Sequence, residues 1–467
     1  MLYYKQLKVL FLLIILKSCF FAICVAKIGF STKTPYEFIH PPQKNVIEDD
    51  WYNAHTDQYT CGAVHVSAVI RHGARNPGES DSKRIANIHM RIKDNIKDGD
   101  KFKLLKDWTN QFPVNNNKNL NDAGENEQHH LGQRTARRLK SLFLEEDMSA
   151  VQFMVSSAKR TEDSALAFYE GINEEIPSEA PEEFDSEVND ENLRFHTMCQ
   201  KYINSVENNS TALKEYKVFG SSDLINQVLE KVIAKLGVEK NVLEPADLKT
   251  MFVICGSEMA VFKFSPWCDL FDDEDNEIMQ YWSDLKKYYK NGPAYRITWE
   301  QSCPLVAELF TIMDDVIAVI ERTEEDKDTE GYLLGNMMFG HAETLGPLYA
   351  ALGLFNDTVP LTSKNYHEQK NRLFRTSEIL PFSANIMFVL YECEENEELL
   401  NDEEEEDDNP DDDYRIQLFV NEQPMLIPGC KNLLCPYTDV REWYSDISDD
   451  CHFEYLCDPH KKMHNEL

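Results

Sequence analysis

The stretch from Val64 to Pro77, VHVSAVIRHGARNP, limits what this chain can fold into more than any other. Val64, Val66, Ala68 and Ile70 alternate with His65, Ser67 and Val69, and β-branched residues dominate, which predicts a buried strand. The strand meets Arg71-His72-Gly73-Ala74-Arg75-Asn76-Pro77, where Gly73 and Pro77 favour a loop over continued strand. Two arginines and a histidine are thereby placed where a buried strand emerges. In open α/β sheets that edge binds ligands.

Two later stretches repeat the arrangement. Val151 to Val155 reads as a short strand, followed by Ser156-Ser157-Ala158-Lys159-Arg160-Thr161 and a helix through Ser164 to Tyr169. Leu333 to Phe339 reads as a third strand, followed by Gly340-His341-Ala342-Glu343-Thr344 and a helix from Leu345 to Leu354. A histidine beside a glycine is usually structural, and a loop arginine is usually solvated. Arg71, His72, Arg75, Arg160, His341 and Glu343 at three like junctions nevertheless form a constellation. Elsewhere, Leu120 to Glu146 reads as a turn and a long amphipathic helix. Residues 195–330 read as mostly helical, most clearly at Leu224 to Leu236, Ile278 to Tyr289 and Leu305 to Val319. Asn385 to Glu392 and Tyr414 to Val420 are apolar strands around residues 394–413, of which 14 are acidic. That pattern predicts a β-hairpin with a long disordered loop. The loop's simplest role is a solvated one, with weak calcium binding as the functional alternative.

At 467 residues the chain exceeds most single cores. The expected division is a core in two parts, 27–165 and 330–467, with a helical cap domain at 166–329 inserted between them. A net charge of −35 excludes nucleic acid and anionic membrane surfaces as partners and makes attraction of any anion a local matter. The most basic window, residues 79–109, follows the Arg-His-Gly loop, and Lys83 and Arg84 are its nearest cations.

Residues 1–26 read as a cleaved secretory signal: Lys5 and Lys8 precede the apolar run Val9 to Leu16, and Cys24-Val25-Ala26 suits cleavage. The run is shorter than the ~20 residues a spanning helix needs, and no other segment is long and apolar enough. Ten cysteines remain beyond the signal, an even number that predicts disulfides in an oxidising compartment. Sequons at Asn208, Asn209 and Asn356 agree with lumenal exposure. The tail His464-Asn465-Glu466-Leu467 resembles a retention signal, which implies a retention receptor and the endoplasmic reticulum lumen, with secretion as the alternative.

The Arg71–Pro77 heptapeptide resembles the signature of the histidine acid phosphatases, the clade-2 histidine phosphatases that include phytases. Most of that branch has His-Asp at the later site. His341-Ala342-Glu343 is instead similar to the multiple inositol polyphosphate phosphatases, as are the signal and the tail. The resemblance runs from about Cys61 to Cys457. It implies an α/β fold: a mixed, mainly parallel sheet flanked by helices, with an inserted all-α cap. It further implies that His72 is the nucleophile, with Gly73 leaving its approach uncrowded. Arg71, Arg75, Arg160 and His341 hold the phosphoryl oxygens, and Glu343 is the proton donor. Lys83 and Arg84 become substrate-binding candidates. No metal or cofactor is implied. The implied substrates are inositol polyphosphates. The alternatives are a broad acid phosphatase, a 2,3-bisphosphoglycerate phosphatase, or an inactive calcium-binding relative. Since Glu343 must be protonated to act, activity is expected at acidic to near-neutral pH. The implied disulfides are Cys61–Cys393, Cys199–Cys457, Cys255–Cys268 and Cys430–Cys435, while Cys303 and Cys451 pair with each other or stay free.

Overall fold

The computed structural model describes residues 29–41, 46–56, 58–96, 102–112, 118–145, 148–176, 184–322, 331–395 and 413–460. The expected signal, the tail 464–467 and residues 396–412 of the acidic tract lie outside them. Within the described residues one mixed sheet has nine strands. They are β1 (Asn53–His55), β2 (Tyr59–Arg71), β3 (Val151–Val155), β4 (Glu187–Val188), β5 (Gly335–Gly340), β6 (Asn385–Glu395), β7 (Tyr414–Val420), β8 (Gln423–Met425) and β9 (Leu434–Pro436). The order is β4-β3-β5-β2-β6-β7-β8, with β1 on β2 and β9 on β7. The half that carries the three junctions, β4-β3-β5-β2, is parallel. From β2 onward the pairing with β6 and β7 is antiparallel, so the two apolar strands around the acidic tract do pair as neighbours.

β2 is buried from Ala63 to Arg71 because helices cover both faces of the sheet. A register shift against β6 between Ala63 and His65 breaks the strict alternation expected from the sequence. Val64 therefore joins the apolar cluster on one face, while Val66, Ala68 and Ile70 join the cluster on the other. His65 and Ser67 are tolerated inside because they satisfy each other. The His65 ring contacts the Leu333 carbonyl at 2.7 Å and the Ser67 hydroxyl at 2.8 Å. Burial drives the His65 pKa down to about 4, so it stays neutral.

The longer helices are α1 (Glu79–Ile92), α2 (Asp122–Arg138), α3 (Lys159–Glu175), α4 (Asp223–Leu236), α5 (Pro245–Phe262), α6 (Asp273–Asn291), α7 (Cys303–Ile320) and α8 (Ala342–Ala351). α2 and α3 cover one face of the sheet. The other helices share a single apolar cluster with the opposite face. The chemistry of the ends fits these bounds. Ser222 caps α4, which stops at Gly237 in left-handed backbone, and Asp272 with Asp275 forms a capping box on α6.

Several boundaries differ from expectation. The long helix breaks at Leu139, leaving Lys140–Glu145 as a separate turn. β6 takes Glu394 and Glu395 into the ladder, so the acidic tract begins later than 394. α3 starts at Lys159 and runs through position 166. α8 starts at Ala342, because the Thr344 hydroxyl accepts from the His341 N–H at 3.0 Å. Arg160 and Glu343 thus sit in first helical turns, not in loops. The four implied disulfides are present, and Cys303 pairs with Cys451.

Candidate active site

Register alone brings the three junctions together. Ile70 of β2 and Val155 of β3 both stand beside Phe339 of β5. Just beyond them, the His72 N–H bonds to the Gly340 carbonyl at 3.1 Å and the Ser156 N–H to the Phe339 carbonyl at 3.2 Å. The side chains of His72, Ser156 and His341 therefore leave the sheet from adjacent strand ends.

The loop after β2 is clamped from beneath. Its Ala74 N–H donates to Glu127 of α2 at 2.9 Å, and Gln128 donates to the Arg71 carbonyl at 2.8 Å. A Cβ at Gly73 would lie 2.3 Å from the Gly124 carbonyl oxygen, and one at Gly124 2.1 Å from the Ala74 carbonyl oxygen. The absence of a side chain at Gly73 lets the loop touch α2 backbone to backbone. Glu127 also accepts from the Tyr36 N–H and the Ser383 hydroxyl. Burial pushes its pKa up to about 7.

His72 is fixed in one tautomer. Its Nδ1 lies 2.8 Å from the Gly73 carbonyl, which can only accept, so Nδ1 carries the proton and Nε2 keeps a lone pair. Burial, then Arg71, Arg160, Arg75 and His341, hold the His72 pKa well below its ordinary value. The ring is neutral, with a lone pair on Nε2. The His341 ring lies 5.5 Å away, centroid to centroid. Arg160 Nη2, which can only donate, lies 3.1 Å from His341 Nδ1, so His341 Nε2 carries the proton and donates to Ser156 Oγ at 2.9 Å.

The three arginines are anchored by their ends. Arg71 Nη1 donates to the Thr32 and Leu380 carbonyls at 2.9 and 2.8 Å, with its guanidinium 4.6 Å from the Phe382 ring centroid. Arg75 Nη1 donates to the Asn76 carbonyl at 2.8 Å. The Nε atoms of Arg71, Arg75 and Arg160 are buried, and none has an acceptor among the described residues. Three unpaired donors beside a neutral imidazole make a site built for the oxygens of an anion. Lys33 faces the same group. Burial, Arg75 and Arg71 hold its pKa well below the usual lysine range.

Glu343 has a partner that sequence reasoning missed. Lys287 of α6 donates to Glu343 Oε1 at 2.6 Å. Burial raises the carboxyl, but Lys287, His196 and His341 together hold it well below its ordinary value. Beside it opens a cavity of about 460 Å³ lined by His196, Lys286, Lys287, Lys290 and Glu343. Of the other two candidates, Lys83 is exposed, pairs with Glu79 and lines neither this cavity nor its neighbour. Arg84 lines the neighbouring cavity.

Residues 64–421 match the model of the Histidine phosphatase superfamily (branch 2). The chain belongs to branch 2 of that superfamily. It is 32% identical to multiple inositol polyphosphate phosphatase 1 of Gallus gallus, over 94% of both proteins. The Homo sapiens protein of that name is 30% identical, over 92% of this chain and 88% of its own length. The fold is similar to that of the Bifidobacterium longum multiple inositol polyphosphate phosphatase, solved with inositol hexasulfate. There the TM-score is 0.67 and the identity 16%, over 90% of this chain and 97% of that one.

The arginines, histidines and glutamate quoted from the phosphatase signature are brought together. Lys33, Ser156, His196 and Lys287 are the residues reasoning from sequence left out. Only Lys287 carried a signal: Lys286, Lys287 and Lys290 recur within one amphipathic helix of a strongly acidic chain.

Proposed function

We propose that this histidine phosphatase hydrolyses inositol polyphosphates through a phosphohistidine on His72. The observation that carries the reading is a fixed, neutral His72 among Arg71, Arg75, Arg160 and His341, with Glu343, two residues after His341, at the wall of a lysine-lined cavity. In the first step Nε2 attacks phosphorus in line and the bond to the inositol oxygen breaks. Glu343 gives its proton to that oxygen, a poor leaving group as an alkoxide. Arg71, Arg75, Arg160 and His341 hold the three non-bridging oxygens. In the second step Glu343 takes a proton from water, the oxygen attacks phosphorus, and the P–N bond breaks. Phosphate leaves and His72 is again neutral.

In the empty site Lys287 keeps Glu343 ionised. A bound phosphate brings negative charge that competes for Lys287 and raises the carboxyl. Substrate thereby sets up its own acid. The lysines of the cavity favour a substrate with several phosphates over a simple monoester, which is why the broad acid phosphatase and bisphosphoglycerate readings rank lower. The relatives named above point the same way. Side-by-side phosphate release from inositol hexakisphosphate and phenyl phosphate tests the reading. It fails if the monoester is the better substrate or if His72→Ala leaves the rate unchanged.

We further propose a lumenal protein of the secretory route, with the helices between residues 184 and 322 capping the site. Five disulfides and exposed Asn208 and Asn356 support the compartment. Among the described residues no helix is long and apolar enough to cross a membrane. Retention in the endoplasmic reticulum through residues 464–467 is tested by deleting them and measuring the secreted fraction.

A further inference from the structure

We propose that Ser156 is a positioning residue for the reaction: with Thr161 it pins the proton of His341 on Nε2, which reserves Nδ1 to take a proton from an entering phosphate. The inference rests on the phosphatase reading above and adds the path of one proton to it. Ser156 and Thr161 are not among the groups that hold the phosphoryl oxygens. Both are buried, as is His341.

Hydrogen-bond directions around them allow one assignment. Thr161 Oγ1 has a single proton, and carbonyls take it: Ala158 at 2.6 Å and Ser156 at 3.0 Å. Thr161 Oγ1 can then only accept from Ser156 Oγ, 2.9 Å away. With its own proton so placed, Ser156 Oγ accepts from its other neighbours, the Ala158 N–H at 3.3 Å and His341 Nε2 at 2.9 Å. The chain from His341 through Ser156 and Thr161 to the Ala158 carbonyl thus runs in one direction. It ends on the residue before the first turn of α3, the helix that carries Arg160. The His341 tautomer is enforced from both sides. Ser156 offers Nε2 only a lone pair, and Arg160 offers Nδ1 only a proton, at 3.1 Å. A buried network with every member satisfied holds its protons in place.

As a neutral ring, His341 has no second proton to give to a phosphate oxygen. Burial and Arg160 keep it neutral in the free protein, with His196 and Arg194 acting in the same sense and Glu343 against them. The His72 ring, 5.5 Å away, is neutral as well. An entering phosphate reverses this balance. Its oxygens draw the Arg160 N–H off Nδ1 and bring negative charge beside the ring. A phosphate monoanion then passes its proton to Nδ1 and accepts the resulting N–H as a hydrogen bond. The steps balance. The phosphoryl group moves to His72, Glu343 protonates the leaving oxygen, and the proton on Nδ1 departs with the product phosphate. His341 is a cation only while phosphate is bound.

The test follows the ring-nitrogen NMR signals of His341, assigned by their loss in His341→Asn, at pH 6 with and without inorganic phosphate. The free wild type should show a neutral ring protonated on Nε2, and phosphate should protonate both nitrogens. Ser156→Ala removes the acceptor of Nε2. Thr161→Val, close to isosteric, leaves the Ser156 hydroxyl free to turn its proton toward the ring. In the free protein both variants should show a mixture of tautomers. Both should lower kcat for phenyl phosphate about tenfold, as expected for one lost hydrogen bond. A free wild-type ring protonated on Nδ1 or on both nitrogens overturns the proposal. So does a ring that phosphate leaves neutral, or a tautomer unmoved in both Ser156→Ala and Thr161→Val. A lower melting temperature with the tautomer unmoved also overturns it, since the role is then structural alone. Should His72→Ala release phosphate at the wild-type rate, the phosphatase reading fails instead, whatever the state of His341.

Discussion

Replacing Lys287 by methionine should make the enzyme tolerate alkali better, although a cation is lost from a site for anions. In the free protein Lys287 lies 2.6 Å from Glu343, with 41% of the glutamate side chain and 17% of the lysine side chain exposed. A hydrogen bond to a charged group contributes about 1.5–3 kcal/mol. The exposure of Glu343 places this pair at the lower end, about 1.5 kcal/mol, or roughly one pKa unit. Glu343 acts as an acid only while protonated, and it is protonated below its pKa. Raising the pKa by about one unit moves the alkaline limb of kcat/KM up by the same amount. The assay is the pH profile of phosphate release from glycerol 2-phosphate. Its alkoxide leaving group needs the acid, and its single phosphate makes little use of the lysine cavity. The absolute rate falls, but the limb shifts upward. A limb that stays in place or moves down refutes either the role of Glu343 or the control by Lys287.

Gly73→Ala should lower kcat about 100-fold and stability by about 1–3 kcal/mol, because its Cβ meets the Gly124 backbone and pushes the His72 loop off α2; thermal melting and kinetics read both. Glu127, its pKa raised to about 7 in the folded protein, contributes stability that is complete below the usual carboxylate pKa and lost as pH rises through about 7. Between those limits, Glu127→Gln should gain on wild type by about 3 kcal/mol in denaturant melts; an equal gap at pH 4 and pH 8 contradicts this. Removing the Cys61–Cys393 bridge, which closes 332 residues, should cost about 3–5 kcal/mol in chemical unfolding.

What could be read from the sequence were the parts whose signals are local. β2, β5, β6 and β7 announce themselves as apolar runs, because a strand covered on both faces has little choice of residue. The arginines and histidines stand out as polar groups at the ends of such runs. Sequence patterning is blind where a contact is set by tertiary approach. Lys33 reaches the site because the segment before β1 folds back and Thr32 accepts from Arg71. Lys287 meets Glu343 only once α6 packs against α8, 56 residues apart in the chain. The close approach at Gly73 is hidden for the same reason: its neighbour is not in the loop but on α2. The helices start earlier than expected, at Lys159 and Ala342, because Lys159-Arg160-Thr161 and Glu343-Thr344 put polar residues in the first turns and hide the apolar period. Lys83, from the basic window, pairs one helical turn back with the exposed Glu79.

The most direct test of the central claim is to trap the covalent intermediate. Glu343→Gln treated with p-nitrophenyl phosphate, whose leaving group needs no acid, should form the intermediate and fail to hydrolyse it. The account predicts an acid-labile, alkali-stable phosphoryl group on His72 by mass spectrometry, absent from the double variant with His72→Ala. A phosphoryl group on another residue, or a burst of nitrophenol with no protein-bound phosphate, would contradict it.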